Sequence, residues 1–331
     1  MSILYDEAQQ SIANESRRVL EARVTKDQLL PLLESTGQYH EGFWNTAKEQ
    51  GWTALAMPED FDGLALGLVE LGLIAHQAGR TLSGAPFLTS SFGAAKAIEI
   101  YGSEAQKAKL LPGLASGEST GGLVADIAIA LVQGPDGPAL VVASLADVER
   151  QAIESFDNSR CVANLRFAGA PADVLGDGEE AHAAALHILA LQAVITAHEQ
   201  TGGAEALMET ARDYAVTRRA FGQVIGSFQS VKHRIAELYA LVELARANCI
   251  HAASREGKDD FITAAAAARL SATEAYDTAA RDCIQIHGGI GVTWEAGLHL
   301  HMRRARSLAI EQGNALFWED ILVDRLTGEA A

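Results

Sequence analysis

Long helical stretches joined by short turns fill the C-terminal half of the chain, and this pattern most constrains the fold. The spacing of apolar residues predicts three helices, over about 179–219, 228–254 and 260–286. Glycine-containing turns at 221–227 and 288–291 interrupt the helical pattern. Because long helices with short connections pack side by side, residues 177–331 are expected to form an up-down four-helix bundle.

Two further segments precede the bundle. Residues 1–118 have mostly helical spacing, and Ser103 followed three residues later by Gln106 indicates a capped helix start. Residues 119–176 lose the helical period, which favours a short β domain. Two β-like runs lie within this segment, at 139–144 and 163–167. The chain is therefore expected to be mainly α, with an N-terminal helical domain, a shortened middle β domain and a C-terminal bundle.

Composition narrows the possible partners and the location. A net charge of -17 argues against a nucleic-acid or anionic-membrane surface, because phosphate binding needs clustered cations. Three cysteines without a CxxC pair are typical of reduced cytoplasmic thiols. The N-terminus shows no signal-peptide pattern, and the most apolar stretch, 183–197, is too short to span a bilayer. We expect a cytoplasmic protein without membrane insertion.

The turn between the first two long helices, within 218–233, has the features of an anion site. A helix that starts after Gly226 or Ser227 presents unpaired amide N–H groups, which attract anions. Arg218 could add a guanidinium for a phosphate, and Gln229 could donate to a ligand oxygen. The alternative is an ordinary joint between helices with solvated polar side chains.

A second glycine-rich stretch runs from Gln285 to Gly291. Paired glycines let a ligand approach the backbone closely, but the stretch does not follow a strand and so lacks the dinucleotide-fold pattern. A helix end with a loop is the simpler interpretation. His299 and His301 have no third ligand spaced nearby, so we expect no metal site.

Together, these two stretches resemble the acyl-CoA dehydrogenase family. The matching motifs are R-x-x-F-G-x-x-I-x-x-F-Q from Arg218 to Gln229 and Q-x-x-G-G-x-G from Gln285 to Gly291. Met57-Pro58-Glu59 with Gly63, and the run over 102–118, match the N-terminal domain of the family. The resemblance covers both ends of the chain and implies an N-terminal helical domain, a middle β-barrel, a C-terminal four-helix bundle and an FAD cofactor.

The resemblance also implies which residues contact FAD. In the family, these positions hold the pyrophosphate and adenosine part of a flavin bound to the neighbouring subunit across a dimer interface. The residues at matching positions here are Arg218, Phe221, Gln229, Gln285, Gly288, Gly289 and Asn314.

One departure from the family lies in the middle domain. The family carries a T-E-P-x-x-G-S-D run that contacts the flavin ring, whereas this chain has G-G-L-V-A-D-I-A-I-A-L-V-Q-G at 121–134. The β segment is also about half the usual family length. We expect that this chain does not easily enclose a flavin ring with its own β domain.

The second departure concerns the catalytic base. Family members remove a proton next to the thioester carbonyl with a carboxylate, often in a Y-E-G-T run. Gln312 occupies that position here, and Gln192 occupies an alternative family position on the first bundle helix. Neither amide can accept the proton. Glu311 and Glu199 stay open as candidate bases, as does the alternative that this chain has no base.

These features most resemble the short subunits of heterotetrameric acyl-CoA dehydrogenases that act on steroid side chains. The resemblance implies an FAD-dependent oxidoreductase that introduces an α,β double bond into an acyl-CoA thioester, with a longer partner subunit and a separate electron acceptor. Two alternatives stay open: a self-sufficient homo-oligomeric acyl-CoA dehydrogenase and a non-catalytic scaffold subunit of this fold.

Overall fold

The N-terminal part of the chain is helical, as the sequence predicts. A computed structural model describes residues 5–83, 92–120, 126–178 and 180–328. The helices of this part are α1 (Glu7–Arg23), α2 (Lys26–Leu33), α3 (Glu41–Glu49), α4 (Leu68–Arg80), α5 (Phe92–Tyr101) and α6 (Glu104–Ser116). The Ser103 side chain accepts from the backbone of Gln106, and the Gln106 side chain accepts from the backbone of Ser103. This capping box confirms the predicted helix start.

A small sheet region follows. Its strands are β1 (Ile127–Gly134), β2 (Gly137–Ser144), β3 (Glu149–Ile153), β4 (Val162–Arg166) and β5 (Ala172–Asp177). The strands β1, β2 and β5 form an antiparallel sheet in the order β1-β2-β5, and β3 pairs with β4. Of the sequence departure at 121–134, residues 121–125 lie outside the described residues and most of the rest is β1.

The sequence predicted β2 and β4 but missed the other three strands. Strand β1 is a short apolar run without polar alternation, and periodicity alone does not distinguish such a run from a helix segment. Strand β3 is almost fully exposed and carries few β-branched residues, so its propensity is weak.

The C-terminal part is again helical. It contains α7 (Glu180–Thr217), the two-residue strands β6 (Arg219–Ala220) and β7 (Gln223–Val224), and the helices α8 (Gln229–Ser254), α9 (Phe261–His287), α10 (Leu298–Leu308) and α11 (Ala315–Thr327). The predicted ends of the three long helices agree with these within two residues. Helix α9 packs against α8, α10 and α11, so its alanine-rich sequence lies in the core.

The chain divides into two compact units that are discontinuous in sequence. One comprises residues 1–26, 72–83 and 196–331, and the other comprises 27–71 and 84–195. We refer to the first, which contains residues 196–331, as the C-terminal unit, and to the second as the N-terminal unit. The domain boundaries predicted at 118/119 and 176/177 stay a prediction.

Close helix packing in the C-terminal unit depends on two glycines. A Cβ atom on Gly202 of α7 would lie 1.8 Å from the backbone oxygen of His76, and one on Gly79 of α4 would lie 1.9 Å from that of Glu199. Only glycine therefore permits the two backbones to approach this closely. The contact places Glu199 in the interior, where it is fully buried.

The apolar stretch 183–197 lies within α7, which has the length and apolar composition to cross a membrane, so the expectation that this part of the chain is too short to do so is wrong. Of its 18-residue apolar window, 61% is buried inside the protein. Such burial is what a core helix shows, and it explains why this helix is apolar.

Candidate cofactor-binding site

The hairpin after α7 presents an aromatic residue in a strained conformation. Strands β6 and β7 pair through Arg219 with Val224 and Ala220 with Gln223, which leaves Phe221-Gly222 as the turn. Both turn residues have positive φ, 51° and 83°, as a type I′ turn requires. A bulky residue at positive φ is unfavourable, and Phe221 is also 96% exposed. An exposed aromatic ring held at a conformational cost indicates a binding role.

Backbone contacts fix the hairpin to the end of α7. The N–H of Ile225 donates to the oxygen of Arg218 at 2.8 Å, and the Ser227 hydroxyl donates to the oxygen of Val224 at 2.6 Å. Gly226 passes so close to α7 that a Cβ atom there would lie 2.9 Å from the Ala215 oxygen. The backbone of Arg218 is therefore fixed, while its side chain is exposed.

Helix α8 starts after a short 3-10 turn, Ile225–Ser227, that follows the hairpin. Phe228 is the N-cap residue, and its side chain makes no cap hydrogen bond. Its ring lies edge-to-face with Phe221, at a centroid distance of 6.2 Å. Gln229, the first helical residue, is exposed. An uncapped N-terminus of a 26-residue helix leaves amide donors available beside an exposed amide side chain.

The end of α9 lies near the same hairpin. The ring of His287 stacks on Tyr214 of α7 with centroids 4.1 Å apart. Gly288 ends the helix with φ of 63°, which favours glycine, and the positions of added Cβ atoms at Gly288 and Gly289 face open space. A ligand could therefore reach the backbone of both residues.

A cavity of about 420 Å³ lies between the hairpin, the first turns of α8 and the end of α9. Its volume lies within the usual range for ligand sites. Its lining residues are Ala220, Phe221, Ile225, Phe228, Ser230, Val231, Arg234, Gln285 and Ile286.

The structure thus brings Phe221 and Gln285 together in one cavity. Arg218, Gln229, Gly288 and Gly289 belong to the same segments and are exposed, but they do not line it. Sequence reasoning missed Arg234. No sequence signal indicated it, because the place of Arg234 in the cavity depends on how α8 and α9 pack.

The turn that carries the base position of the family is held by a buried arginine. The guanidinium of Arg269 donates from Nη2 to the backbone oxygens of Leu308, Glu311 and Gly313, the latter two at 2.7 and 3.4 Å. Its Nη1 donates to Gln200 Oε1 at 2.5 Å. Burial lowers the pKa of Arg269 to about 10, although the charges of Glu311 and Glu199 oppose this. It stays a cation at neutral pH.

Within this turn, both residues that follow Glu311 are conformationally fixed. Gln312 has φ of 51° and Gly313 has φ of 90°. The Thr196 hydroxyl donates to Gln312 Oε1 at 3.2 Å, and the Trp318 indole donates to the Gln312 backbone oxygen at 2.9 Å. Asn314 is the N-cap of α11, and its Oδ1 accepts from the N–H of Phe317 at 3.0 Å. Its side chain therefore has a structural partner, and it does not line the cavity.

Glu199 lies in a buried ion pair. Its Oε1 is 2.9 Å from Nη1 of Arg304, and both side chains are almost completely buried. Arg304 also donates to the backbone oxygens of Leu82 and Ser83 at 3.2 and 3.3 Å. A carboxylate with a charged partner needs no catalytic role to explain its burial.

A separate apolar cavity of about 320 Å³ lies within the N-terminal unit. Gln192 lines it, and the backbone of Gly93 lies so close that a Cβ atom would be 2.2 Å from Gln192 Nε2. The other lining residues are mostly small or aliphatic: Ala94, Ala128, Ile129, Leu131, Leu140, Leu165, Ala185, Ile188 and Leu189.

The histidines considered as metal ligands have other contacts. The ring of His299 stacks on Trp294, and His301 Nδ1 lies 2.8 Å from the hydroxyl of Tyr276. Across the part of the chain that the structure describes, no group of three or more His, Cys, Asp or Glu residues could hold a metal ion.

Comparison with solved structures defines the class of fold. The chain superimposes on the ChsE4-ChsE5 complex from Mycobacterium tuberculosis with a TM-score of 0.90 and 23% identity, covering 100% of both chains. It superimposes on a variant of the Tcur3481-Tcur3483 steroid ACAD with a TM-score of 0.87 and 23% identity, covering 98% of both. The fold is that of acyl-CoA dehydrogenases.

Sequence comparison gives the family. Family models match at residues 6–118, as the acyl-CoA dehydrogenase N-terminal domain, and at 182–326, as the C-terminal domain. The acyl-CoA dehydrogenase IpdE2 of Mycobacterium tuberculosis (strain ATCC 25618 / H37Rv) is 33% identical over 281 residues, which cover 82% of each chain. IpdE2 of Mycolicibacterium smegmatis is 30% identical, covering 88% of this chain and 90% of the relative. The chain therefore belongs to the acyl-CoA dehydrogenase family, whose members are FAD-dependent oxidoreductases.

Proposed function

We propose that this protein is a subunit of an FAD-dependent acyl-CoA dehydrogenase that introduces an α,β double bond into a bulky acyl-CoA thioester together with a longer partner subunit. The observation that carries the proposal is an exposed cavity with a strained, solvent-exposed Phe221 at its edge. Such a site is incomplete within one chain and fits a cofactor shared between subunits. Two of the similar structures, ChsE4-ChsE5 and Tcur3481-Tcur3483, are each named for two different chains, which supports this assembly.

The residues present at the site fit the adenosine and pyrophosphate part of FAD. Phe221 offers an aromatic face, and Gln285 offers an amide in the same cavity. The uncapped start of α8 and the exposed Arg218 supply donors and positive charge for a pyrophosphate. The open approach to Gly288 and Gly289 leaves backbone groups accessible. When bound, FAD supplies the hydride acceptor that the reaction requires.

The apolar cavity of the N-terminal unit supports an acyl-chain site for a bulky group. Ala94, Ala128 and Ala185 are small, which leaves room for a wide apolar group rather than for a narrow chain. The word "steroid" in the name of one similar complex favours a steroid side-chain CoA ester as the substrate class.

We further propose that the catalytic carboxylate comes from the partner subunit. Abstraction of the α-proton needs a carboxylate within hydrogen-bond reach of the substrate. Gln192 lines the acyl cavity and Gln312 occupies the other family position, and neither amide can accept the proton. Glu199 is held in an ion pair with Arg304, and Glu311 stays a candidate within this chain.

Reconstitution with an acyl-CoA substrate and an artificial electron-acceptor dye tests this function. The chain is assayed alone and after co-expression with a longer acyl-CoA dehydrogenase-like chain. We expect turnover only for the pair. Turnover by the chain alone would support the homo-oligomeric alternative and make Glu311 the leading base. No turnover and no flavin in any combination would support the scaffold alternative.

A cytoplasmic location is part of the same proposal. Cys161, Cys249 and Cys283 are each buried and unpaired, as in proteins that fold under reducing conditions.

A further inference from the structure

We propose that Arg234 is an additional binding residue for the phosphate-bearing ADP half of the cofactor, and that Asp282 holds its guanidinium in place. This inference rests on the proposed function, because it assigns a role at the same flavin site. Neither residue belongs to the motifs that identify the family.

The first observation is that Arg234 is anchored at one end only. Its Nη1 lies 2.5 Å from Oδ1 of Asp282 on α9. The Asp282 side chain is 18% exposed, whereas that of Arg234 is 42% exposed. Among the described residues, the other two guanidinium nitrogens of Arg234 have no hydrogen-bond partner. The carboxylate thus fixes the planar group while donors remain for a ligand.

The second observation is the position of this guanidinium in the cavity. Arg234 lines it together with Phe221, Phe228 and Gln285, and it supplies the one charged side chain of that lining among the described residues. An arginine whose ion-pair partner lies outside the lining presents its unpaired donors to an anion. The aromatic and amide neighbours are suited to the nucleoside that carries such an anion.

The alternative is a structural ion pair that ties α8 to α9. That pair would contribute to stability but not to ligand affinity. The chain offers a matched control for this alternative at the opposite end of α8, where Arg255 pairs with Asp260 at 2.7 Å and has a side chain that is 36% exposed.

Calorimetric titration with ADP, without flavin, tests the proposal on the full-length protein alone and co-purified with its partner. We expect Arg234→Met to weaken ADP binding about tenfold, because a charge-assisted hydrogen bond to phosphate is lost. Asp282→Asn should weaken it about threefold, since Arg234 loses its anchor. Arg255→Met should leave ADP affinity unchanged.

The outcomes separate this inference from the proposed function. If Arg218→Ala reduces flavin content while Arg234→Met binds ADP as tightly as the unsubstituted protein, Arg234 is a structural residue and only this inference fails. If the unsubstituted protein binds neither ADP nor FAD, alone or with a partner, the flavin site itself fails. Equal losses in Arg255→Met and Arg234→Met would also overturn the inference, because the effect would then be one of general helix stability.

Discussion

Replacing Phe221 with asparagine separates the structural cost of this residue from its binding role. Phenylalanine at φ of 51° costs about 1–2 kcal/mol, and asparagine adopts this conformation more readily. The change creates Asn-Gly, the preferred sequence for a type I′ turn. It removes the edge-to-face contact with Phe228, which contributes about 0.5–1.5 kcal/mol. It removes little buried apolar surface, because Phe221 is 96% exposed. The two effects nearly cancel, so the free energy of unfolding should change by less than about 1 kcal/mol.

Flavin binding should respond differently to the same substitution. Loss of the aromatic face should reduce affinity for FAD about tenfold, since ring stacking on a base contributes about 1–3 kcal/mol. Urea unfolding of the chain measures the first quantity, and the flavin absorbance of its complex with the longer partner chain measures the second, with Phe221→Tyr as the control that keeps the ring. Unchanged flavin content would refute the reasoning, because Phe221 would then not contribute to cofactor binding. A loss of stability above about 2 kcal/mol would also refute it, because Phe221 would then be a structural residue.

The remaining predictions concern the interior of the C-terminal unit. Glu199→Gln leaves Arg304 buried without its carboxylate and should destabilise the protein by about 3–5 kcal/mol. The double variant with Arg304→Met should lose less stability. A stable Glu199→Gln protein without turnover would instead identify Glu199 as the base. Burial lowers the pKa of His198 to about 3. The unfolded chain binds its proton near pH 6.5, so His198 alone should lower stability by about 2 kcal/mol as the pH drops from 6.5 to 5. Buried His301, whose pKa is also lowered to about 3, contributes in the same direction. His198→Leu should therefore reduce the pH dependence in urea unfolding without abolishing it, and an unchanged slope would contradict the prediction. Gly202→Ala places a Cβ atom 1.8 Å from the His76 oxygen and should lower the free energy of unfolding by about 3 kcal/mol, measured by thermal unfolding. An unchanged midpoint would show that α4 and α7 can separate freely.

The long helices could be predicted because their sequence signals are redundant. Alanine-rich spacing and the closing Gly288 agree on α9, and the capping Ser103 marks the start of the shorter α6. The strands β1, β3 and β5 could not be predicted, each for its own reason. Strand β1 is an apolar run without polar alternation, and β3 is almost fully exposed. Strand β5 pairs with β2, which lies well before it in the sequence.

The candidate site could be predicted only in part. The motifs pointed to Phe221 and Gln285, which share a cavity. They gave no indication that Phe221 adopts a strained turn conformation, or that Arg234 lines the same cavity, because both facts depend on how α8 and α9 pack. The ion pair between Glu199 and Arg304 could not be predicted either, since the two residues are 105 positions apart in the chain.

The absorption spectrum of the purified chain, recorded alone and after co-expression with a longer acyl-CoA dehydrogenase-like chain, tests the central claim most directly. The account predicts a colourless chain alone and a bound flavin in the complex, with Arg218→Ala abolishing the flavin band of the complex while both chains still co-purify. A full flavin band from the chain alone would contradict a cofactor shared between subunits. A flavin band of the complex that is unaffected by Arg218→Ala would contradict the assignment of the site.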